Sequence, residues 1–204
     1  NNKKFKIYSL HKKKGLAEAR YTGIKKSKGN YIAFLDADDL WNRNKLKYQL
    51  NFMKSKQIKF SATKFSILSK TSKFISDSNI ERINYDYFLY NRPICNSSVL
   101  IEKKLILNIA RKHRYNIYAE DYLWWLEVMK KKVDCYLIKE NLTNIRLSND
   151  NRSKNFIKNF KDLYFIYKKI NKLSYFKIIK IYLFLVKNSF NKIIFKIRAI
   201  YLNY

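Results

Sequence analysis

Asp36, Asp38 and Asp39 place three carboxylates directly after the apolar run Tyr31–Leu35. A short apolar run reads as a buried strand, and its end delivers the acids to the rim of a sheet, where open α/β sheets bind ligands. Asp36 and Asp38 are two residues apart, so on extended backbone they point the same way. Such a cluster repels itself unless something positive sits within it. A lysine could serve, and a divalent cation with oxygen ligands is the sharper reading. A second acidic pair, Glu120-Asp121, opens another apolar segment, where negative charge favours a helix N-terminus. Arg20 offers a planar fork that suits phosphate better than a lysine would.

The elements needed to position these groups alternate along the chain. Residues 5–9 read as a short strand, and Gly15 opens a helix over Leu16–Lys26. Leu16, Ala19, Gly23 and Ile24 share one face of it, with small residues allowing close approach to a sheet. Gly29 ends it. With Tyr31–Leu35 this makes a strand–helix–strand unit, and short connections predict parallel strands. A helix is expected over Asn42–Lys56, with Leu46, Leu50 and Met53 inward and lysines outside. Next come a strand at Phe60–Leu68, a polar loop at 69–79, a short helix at Tyr85–Tyr90 and a turn at Arg92-Pro93. Strands are predicted at Ile94–Ile101, Val133–Ile138 and Leu142–Leu147, and helices at Leu105–His113 and Tyr122–Lys132.

The segments Gly15-Leu-Ala-Glu-Ala-Arg20, Gly23-Ile24, Lys28-Gly-Asn-Tyr-Ile-Ala-Phe-Leu-Asp-Ala-Asp-Asp-Leu-Trp41 and Glu120-Asp121 together resemble the family 2 glycosyltransferases. The match covers roughly residues 5–152 in order and spacing. It implies a GT-A-like, Rossmann-like fold: a mixed, mainly parallel sheet flanked by helices, here lacking its first nucleotide-binding strands. It also implies an inverting transfer of a sugar from a nucleotide-sugar donor, a UDP-sugar by preference, to a hydroxyl of a glycan or lipid-linked acceptor in cell-envelope synthesis. In that reading Asp38 is the direct ligand of Mg²⁺ or Mn²⁺ and Asp36 a ribose or metal contact, since no His or Cys is available for a softer ion. Asp39 orients them, Asp121 is the general base, and Glu120 is an acceptor-hydroxyl contact or a helix-start stabiliser. Arg20 and Arg146 lie near the nucleotide, with Ser148–Ser153 as a loosely matching flexible segment. Trp124 or Trp125 could form an acceptor platform, although a buried aromatic is the ordinary role. The chain departs from the family pattern at Tyr21, Lys13 and Lys14, and at the absent front strands, so it reads as the interior of a longer sequence.

Composition bounds the alternatives. The 204 residues carry 44 Lys+Arg against 15 Asp+Glu, a formal net charge of +29. That excess predicts a polyanionic partner, yet no zinc-finger, helix-turn-helix or RNA-binding signature accompanies it, so no specific nucleic acid is expected. Two cysteines, Cys95 and Cys135, fit a reducing cytoplasm. The division expected is a partial catalytic domain over 1–150 and a basic, aromatic-rich helical extension over 151–204. That extension has thirteen Lys/Arg and one acid, Asp162. On a helical wheel Lys177, Lys180, Lys187 and Arg198 face away from Phe176, Ile179, Val186, Phe190, Ile193 and Ile194. The pattern predicts peripheral binding to the anionic inner face of the plasma membrane. The competing reading is a non-catalytic membrane- or polyanion-binding remnant of such an enzyme.

Overall fold

The computed structural model describes residues 5–10, 15–68, 73–75, 81–115, 117, 119–146 and 156–187, with backbone only at 73–75 and 156–158. Helix α1 (Leu16–Lys26) starts at Gly15, whose φ of 86° lies in the left-handed region that side chains disfavour. Strand β1 (Tyr31–Ala33), the acidic turn and β2 (Leu40–Trp41) follow. Then come α2 (Lys45–Ser55), β3 (Phe60–Leu68), β4 (Lys73–Ile75), β5 (Arg82–Ile83) and α3 (Tyr85–Asn91). A 3₁₀ turn (Asn96–Ser98) leads into β6 (Leu100–Glu102), α4 (Lys103–Lys112), α5 (Glu120–Lys130) and β7 (Cys135–Arg146). Helix α6 (Phe156–Phe165) runs into a π turn (Ile166–Ile170), and α7 spans 175–187.

The sheet is mixed, in the order β1-β6-β3-β7-β2, with β4 paired to β3 and β5 to β7. Among the described residues β3–β7 is the parallel pair and the other pairings are antiparallel, so the sheet is mixed as expected but not mainly parallel. β7 is long enough to hold β5 at Cys135 and Tyr136 and β2 at Thr143 and Asn144. The main core lies between this sheet and helices α1, α3, α4 and α5. Phe34 meets both Trp124 and Trp125, and Phe60 lies 5.3 Å from Trp125. Burying side chains of this size stabilises by roughly 1.5–3 kcal/mol each. Leu163, Ile166, Tyr167, Ile178 and Ile181, from the C-terminal helices, belong to the same cluster.

Several local expectations are overturned. Residues 5–10 form no strand; they pair with nothing among the described residues, and Phe5 and Ile7 are 78% and 93% exposed. Alternating sequence cannot make a strand without a ladder partner, so the parallel strand–helix–strand unit is absent there. In α1 the inward face is Ala17, Tyr21 and Ile24, while Ala19 and Gly23 face open space. In α2 the buried positions are Lys45, Gln49 and Met53, and Leu46 is exposed, because a polar network fixes the helix's rotation. The expected strand at Ile94–Ile101 is a buried 3₁₀ turn followed by a short strand. The two predicted strands at Val133–Ile138 and Leu142–Leu147 are one, β7, and β4 interrupts the expected loop at 69–79. Ser148–Ser153, Phe190, Ile193, Ile194 and Arg198 lie outside the described residues.

Candidate active site

Arg20 is the hub. It sits on the inward side of α1, and its guanidinium donates to Glu120 Oε1 at 2.6 Å and to both oxygens of Asp36, at 2.7 and 2.9 Å. One planar fork thus ties the end of β1 to the start of α5, residues 84 apart in sequence by number. Such bidentate pairs are short, directional and charge-assisted. Glu120 is buried, and Arg20 is its ion-pair partner.

The acidic turn hangs from β1 into β2. Asp39 N–H donates to the Asp36 carbonyl at 3.0 Å and closes it. Ser97, in the buried 3₁₀ turn beneath, supports it at three points. Its Oγ accepts from Asp36 N–H at 3.0 Å and donates to Asp39 Oδ2 at 2.6 Å, while its carbonyl accepts from the Trp41 indole at 2.7 Å. Asn96 donates to Asp36 Oδ1 at 3.2 Å, and Arg146 N–H donates to Asp39 Oδ1 at 3.3 Å. Desolvation raises the pKa of Asp39 against these bonds. Asp38 stands exposed on the turn. Among the described residues, no three His, Cys, Asp or Glu side chains gather to hold a metal by themselves.

Asp121 follows Glu120 in the first turn of α5, and Tyr122 N–H donates to its Oδ1 at 2.8 Å. Burial raises its pKa above the usual carboxylate value, while Arg20 pulls it back down. Next to it opens a cleft of about 360 Å³. Arg20, Arg92, Asp121, Tyr122 and Trp125 line it, with Leu16, Phe88 and Ile94 as apolar wall. That volume falls within the usual range of small-ligand sites.

The structure therefore brings Arg20, Asp36, Glu120 and Asp121 together, sets Asp39 and Arg146 at the opposite end of the turn, and leaves Asp38 at the surface. The Arg146 side chain is exposed, and the contact to the turn is made by its backbone. Trp124 is a core residue bonded to the His113 carbonyl, whereas Trp125 is buried and also lines the cleft. Burial pushes the Cys95 thiol up to about 12 and Cys135 well above its ordinary value, which disfavours the thiolate form. Asn96, Ser97 and Arg92 escaped the sequence reading. The polar Asn-Ser-Ser triplet inside an apolar run was the signal for the first two. For Arg92 no such signal stood out.

Residues 1–128 match the profile described as Glycosyl transferase family 2. The chain belongs to that family. TuaG of Bacillus subtilis (strain 168), named for teichuronic acid biosynthesis, is 32% identical over 191 residues, covering 91% of this chain and 74% of its own. Escherichia coli WfgD, named a UDP-Glc:alpha-D-GlcNAc-diphosphoundecaprenol beta-1,3-glucosyltransferase, is 30% identical over 79% of this chain and 63% of its own. S. aureus TarS, solved with UDP-GlcNAc, superposes with a TM-score of 0.65 at 14% identity, over 81% of this chain and 48% of that one. This family 2 glycosyltransferase thus has a GT-A-like fold, as its sequence predicts.

Proposed function

We propose that this chain carries the catalytic site of an inverting glycosyltransferase that moves a sugar from a UDP-sugar to a hydroxyl of a lipid-linked, cell-envelope glycan. The observation that carries the reading is the Arg20 bridge between Asp36 and Glu120, which sets Asp121 at the lip of a cleft. The names of TuaG and WfgD support the substrate class.

In the reaction the acceptor oxygen bonds to the sugar's anomeric carbon as the bond from that carbon to the donor diphosphate breaks. The diphosphate leaves with the bonding electrons, and the acceptor proton passes to the Asp121 carboxylate. A general base works best with a pKa drawn toward the operating pH. Burial moves Asp121 in that direction, and the Arg20 charge works against the rise. Asp38 and Asp36 present oxygens only, the donor chemistry that suits Mg²⁺ or Mn²⁺. Exposed Asp38 would be the direct ligand, sharing the ion with donor phosphates, since Asp36 is already engaged by Arg20 and Asn96. Mg²⁺ commonly uses one or two carboxylates plus substrate phosphates, and when bound it would neutralise charge on the leaving diphosphate.

Membrane attachment belongs to the same proposal. On α7, Phe176, Ile179, Leu183 and Val186 are all exposed and share one sector, while Ile178 and Ile181 pack into the core on another. Lys180 and Lys187 do not face away from this stripe as the helical wheel predicts but border one edge of it, with Lys180 Nζ 4.5 Å from the centre of the Phe176 ring, and basic residues beside exposed apolar ones suit an anionic leaflet at the cytoplasmic side. No helix among the described residues is long and apolar enough to cross a membrane.

Asp121→Asn in the complete polypeptide tests the chemistry. It should lower kcat by about 10²–10⁴-fold while UDP-sugar affinity stays within threefold or so, as loss of a base predicts. Undiminished transfer by this variant would refute the assignment.

A further inference from the structure

Two arginines line the cleft beside Asp121, and they differ in what they bind. Arg20 is neutralised by Asp36 and Glu120. Arg92 has no carboxylate within ion-pair distance among the described residues. Its guanidinium carbon lies 4.5 Å from the centre of the Tyr122 ring, and its Nη2 donates to the Tyr167 hydroxyl. Burial drives the Tyr122 phenol well above its ordinary pKa, so that neighbour is neutral. A shielded cation next to neutral groups is costly unless an anion joins it.

Two further observations point the same way. Arg92 Nε is buried and finds no acceptor, and neither does the buried indole N–H of Trp125, a second wall of the same cleft. Arg92 also occupies the left-handed cap of α3, with φ 48° and ψ 52°, a position that glycine or asparagine takes at less cost. Gln57, Lys132 and Lys172 share this conformation, so the backbone alone does not single Arg92 out, and the unmatched donors carry the weight. Phe88, Ile94 and Leu16 close the rest of the cleft with apolar surface.

We infer that Arg92, with Trp125, forms an oxyanion subsite that receives a phosphate of the acceptor, so that the enzyme selects phosphate-linked glycans over neutral ones. The inference rests on the reading of Asp121 as the base that faces the acceptor. Arg92 and Trp125 line the cleft that Asp121 also lines, which that reading gives to the acceptor. An acceptor-only group, rich in lone pairs and negatively charged, satisfies both N–H groups and the guanidinium charge at once.

The test compares the complete wild-type polypeptide with Arg92→Gln and Arg92→Lys. The acceptors are an alkyl-diphospho-N-acetylglucosamine and the neutral alkyl glycoside of the same sugar. Arg92→Gln should raise KM for the diphosphate acceptor by about 30-fold, the loss of one charge-assisted contact, against less than about threefold for the neutral acceptor and for the UDP-sugar. Arg92→Lys, which keeps the charge without the fork, should fall between, and it carries the test if Arg92→Gln does not fold. Calorimetric titration of the diphosphate acceptor with UDP at saturation reads the subsite without any transfer. There the affinity should fall by a similar factor. Absence of transfer to both acceptors in the wild type would refute the proposed activity, while the titration would still decide the subsite. Equal KM changes for the two acceptors, a rise confined to the UDP-sugar, or unchanged affinity in the titration would each overturn the inference.

Discussion

At the scale of single residues, Arg20 decides whether the site exists. Three acids, Asp36, Glu120 and Asp121, lie within its field, and Glu120 is almost fully buried. Arg20→Met would leave that carboxylate without its cation, a change that costs about 3–5 kcal/mol when one partner of a buried pair is removed. Urea unfolding should read that loss. In whatever fraction remains folded, the pKa of Asp121 should rise further, because Arg20 is what lowers it. The acid limb of the kcat profile should therefore move to higher pH. Arg20→Lys should keep part of the stability, since it retains the charge but cannot reach two carboxylates with one planar fork.

At the scale of elements, the acidic turn is positioned from below by the 3₁₀ turn and by α2. Gln49 donates to the Ser98 carbonyl and to Ser61 Oγ, and it accepts from Lys45 Nζ at 2.8 Å. Lys45 is fully buried, and its ammonium lies 4.4 Å from the centre of the Trp41 ring. Burial lowers its pKa from 10.5 to about 8. Below pH 8 the folded protein therefore bears the cost of a buried charge, and that cost lifts as pH rises from about 8 toward 10.5. Relative to Lys45→Met, which has no proton to lose, the wild type should gain up to about 3 kcal/mol across that window. Denaturant titrations of both proteins at pH 7 and pH 10 check this. A stability gap that does not change with pH would show that Lys45 is not shielded as the structure places it.

At the scale of the whole molecule, the C-terminal helices are joined to the site rather than hung from it. Tyr167, in the π turn after α6, is fully buried and bonds both Arg92 and the Tyr122 hydroxyl. The third face of α7 carries the exposed stripe, with Phe176 and Leu183 at 68% and 65% exposure. Replacing both by aspartate should weaken binding to vesicles rich in anionic lipid by tenfold or more, roughly the loss of two buried apolar side chains. Thermal stability should change little, because neither side chain packs into the core. Wild-type binding should also weaken with added salt. Unaltered vesicle affinity in the double variant would remove the stripe from the membrane proposal.

By itself the sequence determined which groups are present and in what order. The apolar run into Asp36, the helix that carries Arg20 and the acidic start of α5 are local patterns, and propensity and periodicity specify them without tertiary help. Phe60–Leu68 came out residue for residue, since nothing distant competes with so regular a β-forming stretch. Tertiary structure decided which faces turn inward. Ala19 and Gly23 look outward and Lys45 inward because the partners that fix those rotations, Glu120, Asp36 and Gln49, are distant in sequence or read as surface polar residues. It likewise broke the run at 94–101 into a buried turn, because Ser97 satisfies polar groups of the acidic turn that a strand there would have left unpaired. Arg92 shows the limit most plainly. A lone arginine before a proline carries no message in one dimension. Its message is that in three dimensions no carboxylate among the described residues pairs with it.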